Sequence, residues 1–128
     1  MKNKLTEKKC RLCEEVKPVT EFYYRKDSKS YRSECYECTI TKQRLRNTGA
    51  SAEDYEKFYV KQKGMCKICG VKMGRTRYNR LAVDHCHKSG KLRGLLCSNC
   101  NTAIGLMKDS TIRLEKAIEY LKSCEDIV

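Results

Sequence analysis

The sequence predicts a small α+β fold stapled by paired cysteines, with a strand–turn–strand–helix unit at its centre, flanking helices, and a second cysteine module ahead of it. Three observations predict this. The chain has 128 residues, no tryptophan and a modest apolar fraction, so a core alone would hold it weakly. Eight of its ten cysteines fall in four CxxC pairs. Between the last two pairs, short apolar runs alternate with turn-formers in the way a hairpin needs.

The first frame is Cys10-Arg11-Leu12-Cys13 and Cys35-Tyr36-Glu37-Cys38. Between them Phe22, Tyr23, Tyr24 and Tyr31 mix with Arg25, Lys26, Lys29 and Arg32, which reads as two strands around a turn at residues 26–29. Thr41-Lys42-Gln43-Arg44-Leu45-Arg46 then reads as a turn or two of basic helix. The N-terminal module is thus residues 1–46, with a linker of turn-formers at 47–50 and a second domain at 51–124. Ser51-Ala52-Glu53-Asp54 fits an S-x-x-D cap, and Tyr55, Phe58 and Tyr59 give the following helix an apolar face. Gly64 is the expected stop. After Cys66-Lys67-Ile68-Cys69 and a basic loop at 75–80, residues 80–83 lead into Asp84-His85-Cys86-His87. Lys88-Ser89-Gly90-Lys91 is a turn, Leu92-Arg93-Gly94-Leu95-Leu96 a returning strand, and a helix is expected from Asn101. Asp109-Ser110-Thr111 breaks that helix and caps another, whose stripe of Ile112, Leu114, Ala117, Ile118 and Leu121 is expected to pack inward.

Two CxxC knuckles brought together complete the four-thiolate shell that structural zinc prefers. Cys66, Cys69, Cys97 and Cys100 form one such set; Cys10, Cys13, Cys35 and Cys38 form the other. An iron–sulfur cluster or redox thiols would share the spacing, but nothing else in the sequence points to electron transfer. Cys86 is expected to be a small buried strand filler and Cys124 to be inert. Met1-Lys2-Asn3-Lys4 leads straight into charged sequence, with no apolar run of signal or membrane-spanning length. Cytoplasmic location is therefore expected, the host's cytoplasm if a virus encodes the chain, and reduced thiols there favour metal over disulfide.

The formal charge is +12, and it is unevenly spread. Residues 1–50 carry 13 basic and 7 acidic side chains, residues 51–100 carry 11 and 4, and residues 101–128 carry 4 and 5. Two zinc–tetrathiolate sites would bring the charge to about +8. That excess suits a polyanion, and no membrane partner is expected.

The chain's two histidines both lie in the Asp84-His85-Cys86-His87 run. Phosphodiester hydrolysis needs an activated water, charge stabilisation at phosphate and help for the leaving oxygen. A neutral histidine can take the water's proton, and a divalent cation on a carboxylate and an amide oxygen can supply the rest. Asp84, His85 and Asn101 provide that set, with His87 beside it. Strict alternation would put Asp84 and His85 on opposite faces, so a working site requires a bend at that strand's end. The competing reading makes His85 and His87 further zinc ligands, at the cost of displacing two cysteines.

The string Cys66-x2-Cys69, then Leu81-Ala82-Val83-Asp84-His85-Cys86-His87, then Gly90-Lys91-Leu92-Arg93-Gly94-Leu95-Leu96-Cys97-x2-Cys100-Asn101 resembles the recombination endonuclease VII family. That family belongs to the His-Me finger (HNH-like) nucleases, and the likeness runs over residues 51–121. The resemblance implies a ββα-metal core, magnesium or manganese bound by Asp84 and Asn101, His85 as general base, His87 assisting at phosphate, and structural zinc on Cys66, Cys69, Cys97 and Cys100. It departs from the best-known members three positions after the asparagine, where Ile104 stands in place of an acidic residue. Those members form an intertwined dimer through longer C-terminal helical regions, so dimerisation and junction cleavage are open here. The N-terminal frame resembles, more weakly, small zinc modules found beside such nucleases.

Two functions follow as expectations. The first is a metal-dependent DNA endonuclease, with branched or junction DNA among its candidate substrates. Arg44, Arg46, Arg75, Arg77, Arg80, Lys91, Arg93 and the N-terminal zinc module would grip phosphates. The second is a non-catalytic zinc-finger DNA-binding protein with a degenerate nuclease fold.

Overall fold

Cysteine knuckles close the ends of short hairpins in both halves of the chain. The computed structural model describes residues 5–76 and 78–126, and the chain divides into two units, residues 1–56 and 57–128.

In the first unit, β1 (Glu7–Lys9) pairs antiparallel with β2 (Val16–Pro18), and the Cys10/Cys13 knuckle is the loop between them. A 3-10 turn (Val19–Glu21) leads to the antiparallel pair β3 (Phe22–Arg25) and β4 (Ser30–Cys35), as the aromatic and basic alternation predicts. Helix α1 (Tyr36–Thr48) starts at the second knuckle, five residues before the predicted basic turn, and runs through Thr48 into the expected linker. The reason is local. Cys35 stands at the N-cap position without a side-chain cap bond, Cys38 sits in the first turn, and the Thr39 hydroxyl donates to the Cys35 carbonyl at 3.2 Å. Gly49 ends it at φ +76, donating its N–H to the Leu45 carbonyl. The core consists of the sulfurs and one ring: Cys10, Phe22 and Cys35 are buried, with Tyr31 and Cys38 against them.

Helix α2 (Ala52–Lys61), within which the two units divide, opens on the predicted cap. Ser51 Oγ accepts from the Asp54 N–H at 3.1 Å, and Asp54 Oδ2 accepts from the Ser51 N–H at 3.0 Å. Such reciprocal bonds satisfy two otherwise orphaned donors at the helix start.

In the second unit, β5 (Ala82–His85) and β6 (Leu92–Leu96) form an antiparallel hairpin. The turn between them is closed by Cys86 N–H to Lys91 O at 2.8 Å and Gly90 N–H to Cys86 O at 2.7 Å. Helix α3 (Ser98–Leu106) contacts both strands and completes a ββα unit. It begins three residues before the expected Asn101 because the knuckle itself is its cap: the Cys97 sulfur accepts from the Cys100 N–H at 3.4 Å. Leu81, Val83, Leu95 and Leu96 form the buried side, together with Cys66 and Cys97. Ser110 caps α4 (Thr111–Lys122), as predicted. The apolar stripe of α4 does not pack as expected. Leu114 and Ala117 are half-buried, while Ile112, Ile118 and Leu121 are 64%, 51% and 68% exposed, because no described residue covers that side of the helix. No described helix is long and apolar enough to cross a membrane.

Candidate metal and nuclease site

Each predicted cysteine set converges. Cys10, Cys13, Cys35 and Cys38 form one cluster and Cys66, Cys69, Cys97 and Cys100 the other, with all sulfurs of a set within 4.8 Å of one another. Measured pairs lie at 3.8 Å (Cys10–Cys38), 4.0 Å (Cys13–Cys35) and 3.7 Å (Cys69–Cys97). A tetrahedral ion with bonds of about 2.3 Å separates its ligand atoms by about 3.8 Å, so both cages fit zinc and neither is a disulfide. The sulfurs are also prepared electrostatically. Burial opposes ionisation of Cys10, but backbone N–H groups of Cys35, Cys13 and Leu12 bring its pKa down to about 6. Cys66 is likewise opposed by burial and brought to about 6 by the N–H groups of Cys97, Cys69 and Ile68. Cys38 moves the other way: burial first, then hydrogen bonding with its three neighbouring thiols, pushes it up. Four crowded thiols resist losing all their protons without a cation, and zinc is the cation their softness and spacing suit. Neither histidine belongs to a cysteine cluster, and each cluster has four sulfurs without them.

The hairpin's register slips beside the end of β5. Asp84 pairs with Gly94, but His85 pairs with Leu92, leaving Arg93 as the extra residue on β6. Gly94 permits this with φ +151, and a Cβ there would meet Lys67 Cδ at 2.9 Å and Gln62 Oε1 at 3.0 Å. Asp84 is buried, with 9% of its surface exposed. His85, half-buried at the strand end, sets its ring edge-on to that of His87, with centroids 4.7 Å apart. Asn101 is half-buried in the first turns of α3, its N–H bonded to Cys97 O, on the helix that packs against β5 and β6.

Arg93, expected on phosphate, is instead drawn inward. Its Nε donates to Asp84 Oδ2 at 2.6 Å, and its Nη2 donates to Asp84 Oδ1 at 3.0 Å and to Asp109 Oδ2 at 3.2 Å. Hydrogen bonding to Asp84 first, against partial burial, and then to Asp109 raises the guanidinium pKa above its ordinary value. The bulge explains the correction: as the extra strand residue, Arg93 lies beside Asp84. A carboxylate offers about four lone-pair positions and Arg93 takes two, so Asp84 keeps capacity for a cation. Asp84 and the Asn101 amide are hard oxygen donors, which suit magnesium or manganese and not the thiophilic ion of the cysteine cages.

Two cavities flank Arg93. One, of about 260 Å³, is lined by Asp84, Gly94, Leu96 and Ile104; the residue found where an acid is expected therefore faces the Asp84 side. The other, of about 600 Å³, is lined by His87, Lys88, Lys108 and Asp109 among others. Of the other expected phosphate contacts, Arg46 and Lys91 are exposed. Arg44 lies over the Tyr55 ring at 3.8 Å and Arg75 over the Tyr59 ring at 4.0 Å. Arg80 Nη2 donates to Arg75 O at 2.7 Å, and Arg77 lies outside the described residues. Cys86 is not a buried filler. It is half-buried beyond the end of β5, and the Ser89 hydroxyl, then the Ser89 and Lys88 N–H groups, lower its pKa to about 7.

Two residues that the sequence did not single out support the site. Gln62 caps the edge of β6: its Oε1 accepts from Leu95 N–H at 2.9 Å, and its Nε2 donates to Leu95 O at 2.9 Å and Met65 O at 2.8 Å. Asp109 reads in sequence only as a helix breaker. No local signal marks either contact.

The sequence profile described as recombination endonuclease VII matches residues 41–123. Two proteins, each described as Gene 59 protein, are similar to this chain. The one from Mycobacterium phage D29 is 44% identical over 79 residues, covering 61% of this chain and 47% of its own length. The one from Mycobacterium phage L5 is 41% identical over 78 residues, covering 60% and 46%. The chain thus spans about half the length of the curated relatives it matches. Among solved structures, the ββα-Me type II restriction endonuclease Hpy99I aligns with 30% identity and a TM-score of 0.45, over 92% of this chain and 66% of that one.

Proposed function

Since this chain belongs to the recombination endonuclease VII family, we propose that it is a metal-dependent endonuclease hydrolysing phosphodiester bonds in DNA. The observation that carries this reading is a buried carboxylate, Asp84, followed directly by a half-buried imidazole, His85, at the end of a strand whose hairpin begins and ends at a thiol cage. His85 is the general base: it takes a proton from the water that attacks phosphorus, and the phosphorus–oxygen ester bond opposite breaks. Asp84 and Asn101 would hold a divalent cation, which would supply positive charge at the phosphate and the leaving oxygen. His87 and Lys88 face the larger cavity and meet the phosphate oxygens there. Cys66, Cys69, Cys97 and Cys100 would hold zinc, which would tie the far end of β6 and the start of α3 to the first knuckle and so steady Asn101. Zinc on Cys10, Cys13, Cys35 and Cys38 builds the N-terminal module, whose role is to hold duplex phosphates together with Arg46 and Lys91.

The second reading, a zinc-finger binding protein with a degenerate nuclease fold, draws on Ile104 and on the hold of Arg93 on Asp84. Zinc-loaded protein incubated with linear, nicked and four-way DNA in magnesium or manganese separates the two. Cleavage of at least one substrate, abolished by EDTA, is expected; binding of all three with no cut in either metal would favour the degenerate fold.

A further inference from the structure

The loop ahead of α4 spends backbone strain to deliver one carboxylate. Lys108 and Asp109 stand consecutively in the left-handed region, at φ +58 and +53, where side-chain-bearing residues are uncommon and costly. The loop hangs from α3, with the Asp109 N–H on the Ile104 carbonyl at 2.9 Å. The outcome is Asp109 Oδ2 at 3.2 Å from Arg93 Nη2, the same nitrogen that donates to Asp84 Oδ1. Arg93 is pinned from the other side by Lys67 Nζ on its carbonyl at 2.9 Å.

From this triad, and resting on the cation-site reading of Asp84, we infer that Asp109 is a positioning residue that sets the cation affinity of Asp84 by sharing Arg93. A guanidinium is a planar fork of five N–H donors, and Arg93 Nη2 turns one of its two hydrogens to each carboxylate, so the two acids share one positive charge. Without Asp109, the Asp84–Arg93 pair sums to zero (−1 and +1), and an arriving cation meets a neutralised carboxylate. With Asp109 the triad sums to −1 (−1, +1 and −1), and the charge of Arg93 is divided between two carboxylates. The need is acute because Lys67 lines the cavity on the Asp84 side, Lys108 lines the cavity beside Asp109, and Ile104 contributes no charge. Asp109 thus supplies, from a different element and through Arg93, negative charge that position 104 lacks.

The test is a manganese titration of the zinc-loaded full chain without DNA, following free Mn2+ by electron paramagnetic resonance. Wild type is expected to bind Mn2+ in a manner abolished by Asp84→Asn. Asp109→Asn is expected to weaken that binding roughly two- to fivefold, the range a partly exposed charge pair supports, and Asp109→Glu to recover most of it. Arg93→Gln is expected to tighten binding, and Asp109→Asn added to it to change the affinity little. That last arm reads the coupling itself, which a merely structural role would not produce. If Arg93→Gln does not keep its zinc, Arg93→Met replaces it, since a thioether of similar length also carries neither the charge nor the N–H fork. Equal weakening by Asp109→Asn in both backgrounds, or none in wild type, overturns the role of Asp109 while leaving the cation site standing. Mn2+ binding indifferent to Asp84→Asn overturns the cation-site reading and this inference with it.

Discussion

Replacing Gln62 by alanine tests whether the edge of β6 is held from outside the hairpin. Three hydrogen bonds disappear, but they are not of equal worth. The Leu95 carbonyl also accepts from Lys67 N–H at 3.1 Å, so it keeps a partner. The Met65 carbonyl belongs to an exposed bond and can turn to water. The Leu95 N–H is different: Gln62 Oε1 at 2.9 Å is its acceptor, and Leu95 has 0% of its surface exposed. Leaving one buried donor without a partner costs about 1–3 kcal/mol, and this term dominates. The assay is hydrogen exchange at the Leu95 amide in zinc-loaded protein, together with urea unfolding at fixed zinc. Exchange is expected to accelerate roughly 5- to 150-fold, which is that free energy at about 1.4 kcal/mol per factor of ten. An unchanged Leu95 amide and a stability within about 0.5 kcal/mol of wild type, the scatter of ordinary surface substitutions, would refute the clamp.

Two further outcomes follow from the same geometry. Gly94→Ala is expected to cost about 1–3 kcal/mol, because φ +151 is strained for any side chain and the new Cβ pushes on Gln62 and Lys67; urea unfolding checks it, and its cost is expected to overlap that of Gln62→Ala when the two are combined. Cys66→Ser is expected to lower bound zinc from two ions to one by native mass spectrometry and to expose the amides of β5 and β6, while those of β3 and β4 stay protected; retention of both ions would contradict the cage.

Much of the second unit was legible in its sequence because its signals are local. Gly90 and Lys91 mark the turn, the flanking apolar runs mark the strands, and CxxC spacing marks the cages. The starts of α1 and α3 were misplaced for one shared reason. A cysteine in a knuckle reads as a metal ligand, yet Cys35 and Cys97 also stand at N-cap positions, where serine or aspartate is the usual signal, and the Cys97 sulfur takes the cap bond itself. Arg93 was misread because strand alternation gives no warning of an inserted residue, and the slip between Asp84 and His85 is what turns its guanidinium inward. Gln62 and Asp109 act across 33 and 16 residues of sequence, beyond the reach of any periodicity. The stripe on α4 has the spacing of a packed helix, and spacing says nothing about whether a covering surface exists.

On this mechanism the role of His85 is chemical and not only packing. It is tested most directly by comparing wild type with His85→Ala on supercoiled plasmid in magnesium or manganese, with zinc content and DNA affinity measured on the same preparations. The expected result is a loss of about 10²–10⁴-fold in cleavage rate, the contribution of a general base, with both zinc ions and DNA binding retained. Cleavage by His85→Ala at the wild-type rate would contradict it.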